Sequence, residues 1–170
     1  MTSPDLLNLL PESAIRVNVP AENWREAIRA CGEVLAATGA VDPAYIDQMI
    51  AVVEELGPYI VIAPGIALAH ARPSPAVHRV GFSWIFLEHP VPFGHAENDP
   101  VRMVIGLAAP DPQSHVQALA TLAELLADEA CRAQLLQADT PAEVRRVVRL
   151  FAERKACAEA SHLSASGGNS

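Results

Sequence analysis

Two stretches of the chain, RVGFSWIFLEH (79–89) and VRMVIGLAA (101–109), are apolar on both of the faces that a β-strand presents. A strand of that kind is stable only when both of its faces are covered, so these two belong in the middle of a sheet. The chain must therefore fold in layers, with a sheet between two coats.

The coats are written in the surrounding pattern. IRVNV (15–19) alternates and is β-branched, which predicts a short strand. In NWREAIRACGEVLAATG, Asn23 is placed to cap a helix and Glu26 stands three residues on, a capping-box spacing. Trp24, Ala27, Ile28, Cys31, Val34 and Leu35 share one face of that helix, and Gly39 ends it. VDPAYIDQMIAVVEELG repeats the grammar with Asp42 as cap, Pro43 in the first turn, Gly57 as stop and a stripe of Ile46, Met49, Ile50 and Val53. YIVIAPGIALAH is two short apolar runs broken at Pro64-Gly65. SHVQALATLAELLADEACRAQLLQ holds two helices, the first capped by Ser114 and the second by Asp128, and TPAEVRRVVRLFAER starts a last one at Thr140 and Pro141. The order predicts an α/β fold with a mixed central β-sheet covered by helices on both faces.

Composition narrows the function. The formal net charge of −8 argues against nucleic acid, where a basic patch supplies most of the affinity. No segment provides the roughly 20 consecutive apolar residues of a membrane span, and no basic stretch precedes a hydrophobic one as in a secretory signal. Cys31, Cys131 and Cys157 form no CxxC, which suits reduced thiols and a cytoplasmic location. Cys31 lies on an apolar helix face and reads as a core thiol.

Six histidines remain. His162 falls in the polar end of the chain, and His78, His89 and His95 stand in polar or loop contexts. His70 closes a strand-like run in IALAHARP, and a strand end holds geometry better than a loop tip. His115 follows Ser114 at a helix start, where unpaired N–H groups and a partial positive charge suit an anion. The residues alone leave two readings open: an anion-handling pair, or two unrelated polar side chains. No HExxH, P-loop or GxSxG is present, and no Cys/His spacing supports a zinc site built on His70, His78 and His115.

At PYIVIAPGIALAHARP, and again at FGHAENDPVRMVIGLAAPDPQSHVQALATLAELL, the chain resembles the IIA component of the sugar phosphotransferase system, mannitol/fructose superfamily (EIIA type 2), with the ascorbate-type branch closest. The two early helices resemble the same family. The resemblance spans residues 13–152, between a lead-in of 1–12 and an expected flexible tail of 153–170.

The resemblance implies the mannitol/fructose-type IIA fold and a cytoplasmic phosphoryl carrier. Such a protein accepts a phosphoryl group from the phosphocarrier HPr and passes it to a cysteine of an enzyme IIB, which serves a membrane enzyme IIC. It needs no cofactor or metal. His70 matches the phosphorylated histidine and His115 the second histidine that hydrogen-bonds the phosphoryl group. Phosphate contacts are expected from Ser114 and from Arg72, whose other reading is a surface arginine. Two departures stand out. Ala69 replaces the proline of LPHARP, and residues 51–53 are Ala-Val-Val where mannitol and fructose relatives carry an E-R-E arginine. Phe93 and Leu68 are expected to offer apolar contact to partners. The carbohydrate, an ascorbate-like one included, is not written in the chain, and a regulatory IIA-like protein that controls a partner by binding is the alternative.

Overall fold

A computed structural model describes residues 6–166. Residues 1–5 and 167–170 of the expected lead-in and tail, and the side chain of His162, lie outside the described residues. The elements in chain order are α1 (Leu6–Leu9), a 3₁₀ turn, β1 (Ile15–Val19), α2 (Trp24–Ala37), α3 (Ala44–Leu56), a second 3₁₀ turn (Pro58–Ile60), β2 (Val61–Ala63) and β3 (Ile66–His70), then β4 (Gly81–Val91), β5 (Val101–Ala108), α4 (Pro112–Ala127), α5 (Glu129–Leu136) and α6 (Pro141–Ser166).

The sheet order is β1-β4-β5-β3-β2. β1 runs parallel to β4 and β3 parallel to β5, whereas β4–β5 and β2–β3 are antiparallel. The sheet is mixed, as expected, and the two doubly apolar runs are its inner strands β4 and β5. Gly81 through Leu87 and Met103 through Ala109 are buried without interruption, so both faces are covered.

Register assigns side chains to faces. Ser83 and Gly106 are cross-strand partners on the face that receives α2. Ser83, the one buried polar residue among those described, donates its hydroxyl to the Cys31 carbonyl at 2.9 Å. The Cys31 thiol sits 3.1 Å from the Ser83 hydroxyl oxygen, and burial pushes its pKa up to about 12. Cys31 is thus a core thiol. The opposite face carries Phe82, Leu107 and His70 in one row across β4, β5 and β3, and α4 lies on that side, because His115 meets His70 there.

Local signals hold in part. Asn23 accepts from the Glu26 N–H at 3.0 Å, and the Glu26 carboxylate reaches back to the Glu22 N–H at 2.7 Å, one residue earlier than a standard capping box. Thr140 and Glu143 close a similar start on α6, and Asp128 caps α5. Asp42 does not cap α3. Its carboxylate instead accepts from His78 Nε2 at 2.9 Å.

The described part of the lead-in packs on the last helix. Leu10 is fully buried, and Arg145 of α6 donates to the carbonyls of Leu10 and Leu7. α6 continues through Ser166, into the segment expected to be a flexible tail. The physical reason is in ACAEAS (156–161), which contains good helix formers and no breaker before Gly167.

A Cβ on Gly106 would run into Ser83 Oγ and approach Cys31 Sγ to 2.7 Å and Leu35 to 3.2 Å. Gly106→Ala is expected to lower stability by about 1–3 kcal/mol, the usual cost of overpacking a rigid core, measured by chemical denaturation. A fully stable variant would show that α2 can lift off the sheet.

Candidate active site

β3 and β5 pair in parallel through His70↔Leu107. β5 ends at Ala108, and α4 begins at Pro112, so the start of α4 stands beside the end of β3. This brings two histidines that are 45 positions apart in the chain (115 − 70) together. The rings of His70 and His115 lie 5.5 Å apart between centroids, tilted by 51°.

His70 is half-buried. Its Nδ1 is 3.1 Å from the Leu68 carbonyl, two residues back in its own strand. A carbonyl only accepts, so Nδ1 carries the proton and Nε2 keeps the lone pair. Ala69, in the place of the proline, is 1% exposed and paired with Gly106, so sheet pairing holds the backbone there.

The end of the strand is pinned by a residue that sequence reasoning missed. Tyr45 of α3 is fully buried. Its hydroxyl accepts from the Ala71 N–H at 2.9 Å and lies 2.9 Å and 3.1 Å from the carbonyls of Leu107 and Ala71. Burial pushes its pKa up to about 12, so it stays protonated and donates to those carbonyls. One hydroxyl thereby ties α3 to the residue after His70 and to the residue paired with His70. The signal was available, since Tyr45 sits one position before Ile46 of the apolar stripe, but a helical stripe does not show which hydroxyl reaches a strand end.

His115 is the fourth residue of α4, not the first. The cap is Asp111, whose carboxylate accepts from the Ser114 N–H at 2.8 Å, with Pro112 in the first position. Asp111 outcompetes Ser114 because a carboxylate is the stronger acceptor for the helix's free N–H groups. Ser114 also donates its hydroxyl to the Asp111 carbonyl at 3.2 Å. As placed, neither donor of Ser114 is free for a phosphate.

His115 Nδ1 is buried without a hydrogen-bond partner, while Nε2 is not sealed off. Burial, and secondly the charge of neighbouring His70, hold the His115 pKa below the ordinary histidine value. An orphaned buried donor costs more than an orphaned acceptor. The neutral ring therefore carries its proton on Nε2, as a hydrogen-bond donor at the open side.

The other expected residues sit elsewhere. Arg72 is exposed, has no hydrogen bond or ion pair, and lines a cleft with Glu55 and Leu56 of α3. Phe93 and Leu68 are 4% and 6% exposed, in the core, and so are closed to partners. Leu68 is buried where β3 pairs with the inner strand β5 at Ile105, and Phe93 is covered beside Trp24 of α2, Val53 of α3 and Pro58. His95 Nδ1 accepts from the N–H groups of Glu97 and Asn98 within its loop, and Asp99 ties that loop by accepting from Phe93, Gly94 and His95. His89 is exposed near Glu88. Among the described residues, no group of three or more His, Cys, Asp or Glu is placed to hold a metal ion, and no helix is long and apolar enough to cross a membrane.

The family described as "Phosphoenolpyruvate-dependent sugar phosphotransferase system, EIIA 2" matches residues 8–150. The ascorbate-specific PTS system EIIA component of Salmonella choleraesuis is 37% identical over 138 residues, 81% of this chain and 90% of the relative. The solution structure of the mannitol-specific cryptic phosphotransferase enzyme IIA from Escherichia coli is 34% identical, with a TM-score of 0.77 over 85% of this chain and 98% of that one. A complex of mannitol enzyme IIA with phosphorylated enzyme IIB, also from Escherichia coli, contains a chain 30% identical, with a TM-score of 0.73 over 82% of this chain and 96% of that one.

Two outcomes follow from the geometry. Tyr45→Phe is expected to cost about 1–3 kcal/mol by stranding buried backbone groups, read by denaturation; an unchanged stability would mean that the hydroxyl ties nothing. In an NMR titration His115 should protonate below the ordinary 6.5. The unfolded chain then binds more protons just below pH 6.5, so His115 makes stability fall as pH drops through that value and stop falling below its folded midpoint. His70→Ala should raise the midpoint only part of the way, since burial, the larger cause, remains. A midpoint at or above 6.5 in the parent would contradict the sealed Nδ1.

Proposed function

The chain belongs to the phosphotransferase-system EIIA type 2 family, and from that premise we propose that it carries a phosphoryl group on His70 Nε2. The donor is phospho-HPr and the acceptor is the cysteine of an enzyme IIB, in the uptake of an ascorbate-like carbohydrate. The observation that carries this reading is the His70 hydrogen bond: Nδ1–H is committed to the Leu68 carbonyl, which leaves Nε2 as the nucleophile.

The electron accounting is consistent. The Nε2 lone pair attacks phosphorus, a P–N bond forms, and the bond to the HPr histidine breaks with its electron pair returning to that ring. Nδ1 keeps its proton throughout, so the phosphorylated ring of His70 is an imidazolium, and the Leu68 carbonyl stabilises its charge. That protonated ring is also the better leaving group when a thiolate attacks phosphorus, forms a P–S bond and returns the electron pair to Nε2. Transfer of this kind depends chiefly on position and charge stabilisation.

His115 supplies the stabilisation. Its neutral ring offers Nε2–H to a phosphoryl oxygen and holds no competing proton on the sealed side. A preorganised donor at hydrogen-bond distance, about 3 Å, is most effective where charge develops in the transition state. The IIB partner is favoured by the related IIA, which forms a complex with phosphorylated IIB. The ascorbate-like cargo is favoured by the ascorbate-specific relative.

Incubation with phosphoenolpyruvate, enzyme I and HPr should produce acid-labile phosphate on Nε2 of His70, read by phosphorus–nitrogen NMR coupling. His70→Ala should abolish it. Labelling that persists in that variant, or that sits on Nδ1, refutes the assignment. His115→Ala should still accept phosphate but pass it on about 10²-fold more slowly, the scale for loss of one preorganised donor. Undiminished onward transfer would remove His115 from the reaction.

A further inference from the structure

α6 runs on past residue 150, where the residues matched by the family end. From Ala152 to Ser161 its side chains are exposed, except for the half-buried Lys155. A stretch of helix with no covered face is marginal in water. Polar ties hold its base: Arg154 to Asp128 at 3.7 Å and to the Cys131 sulfur at 3.0 Å, and Lys155 to Glu124. Beside them α5 and α6 leave a cleft of about 580 Å³. Cys131 and Gln134 of α5 line it, with Leu150, Glu153, Arg154 and Cys157 of α6. Leu150 is 43% exposed there and Cys157 is exposed too. Among the described residues Glu153 has no hydrogen bond or ion pair.

We propose that this face of α6 is the interface of a homodimer, in which the α6 helices of two copies cross antiparallel about a two-fold axis at Glu153 and Arg154. At a two-fold axis one patch must supply both halves of every contact. This patch does. Leu150, Glu153, Arg154 and Cys157 recur at helical spacing and share one face. Leu150 precedes Glu153 by three positions, and Cys157 follows Arg154 by three. An antiparallel crossing at the midpoint therefore sets each Glu153 carboxylate against the other copy's Arg154 guanidinium. It also sets each Leu150 against the other copy's Cys157. Opposite charges meet at the centre, and apolar groups meet on either side of it. A partner of unrelated sequence would place no such symmetry on this helix, so the charge pattern selects a second copy. The second helix would cover the face of α6 that its own fold leaves open, and the site at His70 takes no part in the contact.

Sedimentation equilibrium of the full chain tests this. The parent should fit a monomer–dimer equilibrium, and a parent that is monomeric at every soluble concentration overturns the proposal. Leu150→Asp should weaken the dimer at least tenfold. Tyr59→Asp, at an exposed apolar position away from α6, should leave it unchanged. Charge exchange reads the geometry. Glu153→Arg alone sets two cations across each contact, and Arg154→Glu alone sets two carboxylates, so each should weaken the dimer at least tenfold. Mixed in equal amounts, the two variants oppose a cation to a carboxylate at both contacts and should recover a heterodimer of parental strength. A mixture that stays monomeric, or single variants that dimerise like the parent, would refute the crossing at these residues, as would an equal loss in Tyr59→Asp. Arg154 also ties Asp128 and Cys131, so circular dichroism checks that its variant folds. If it does not, Leu150→Asp and Glu153→Arg decide: weakened dimers in both support the interface, and parental dimers in either refute it.

Discussion

The parallel pairing of β3 with β5 is the contact on which the rest of the molecule depends. It ends at His70↔Leu107, and the chain leaves β5 for α4 within a few residues. A parallel pair brings two C-terminal strand ends side by side, so whatever follows β5 arrives next to whatever closes β3. His115 reaches His70 for that reason. The Tyr45 hydroxyl secures the same place from the other face, by bonding the backbone on both strands at once. Neither histidine needs a mobile loop to reach its position.

The two imidazoles divide their work by hydrogen bonding. His70 commits Nδ1 to a backbone carbonyl and keeps Nε2 open. His115 has Nδ1 sealed in the protein and a pKa held down by burial. One ring has its Nδ1 bonded to a backbone carbonyl and the other has its Nδ1 sealed without a partner, although both side chains are the same residue type. Environment rather than identity sets the roles, as with any pair of like titrating groups in one site.

Much of this was legible beforehand. Doubly apolar strands predict their own central place, and β4 and β5 occupy it. Caps with an unambiguous acceptor, such as Asn23, Asp128 and Thr140, fell where expected. Misplacement came where two acceptors compete. Asp111 and Ser114 both offer oxygen to one helix start, and the carboxylate prevails, which moves His115 one turn inward. Asp42 lost its capping role to His78, from a distant segment. Burial was the other blind point: Phe93 and Leu68 are apolar residues near the site in sequence, yet both are covered, and the exposed apolar residues were recognisable only once neighbours were known.

The sequence by itself determined the layered α/β class, the two motifs that carry the histidines and the family to which the chain belongs, because these rest on periodicity and local order along the chain. Tertiary structure alone decided which nitrogen of His70 is free, that His115 is neutral with one face sealed, and that Tyr45 anchors the site. Each of these depends on a contact between segments tens of residues apart, and a hydrogen bond or a burial of that kind has no signature in local spacing.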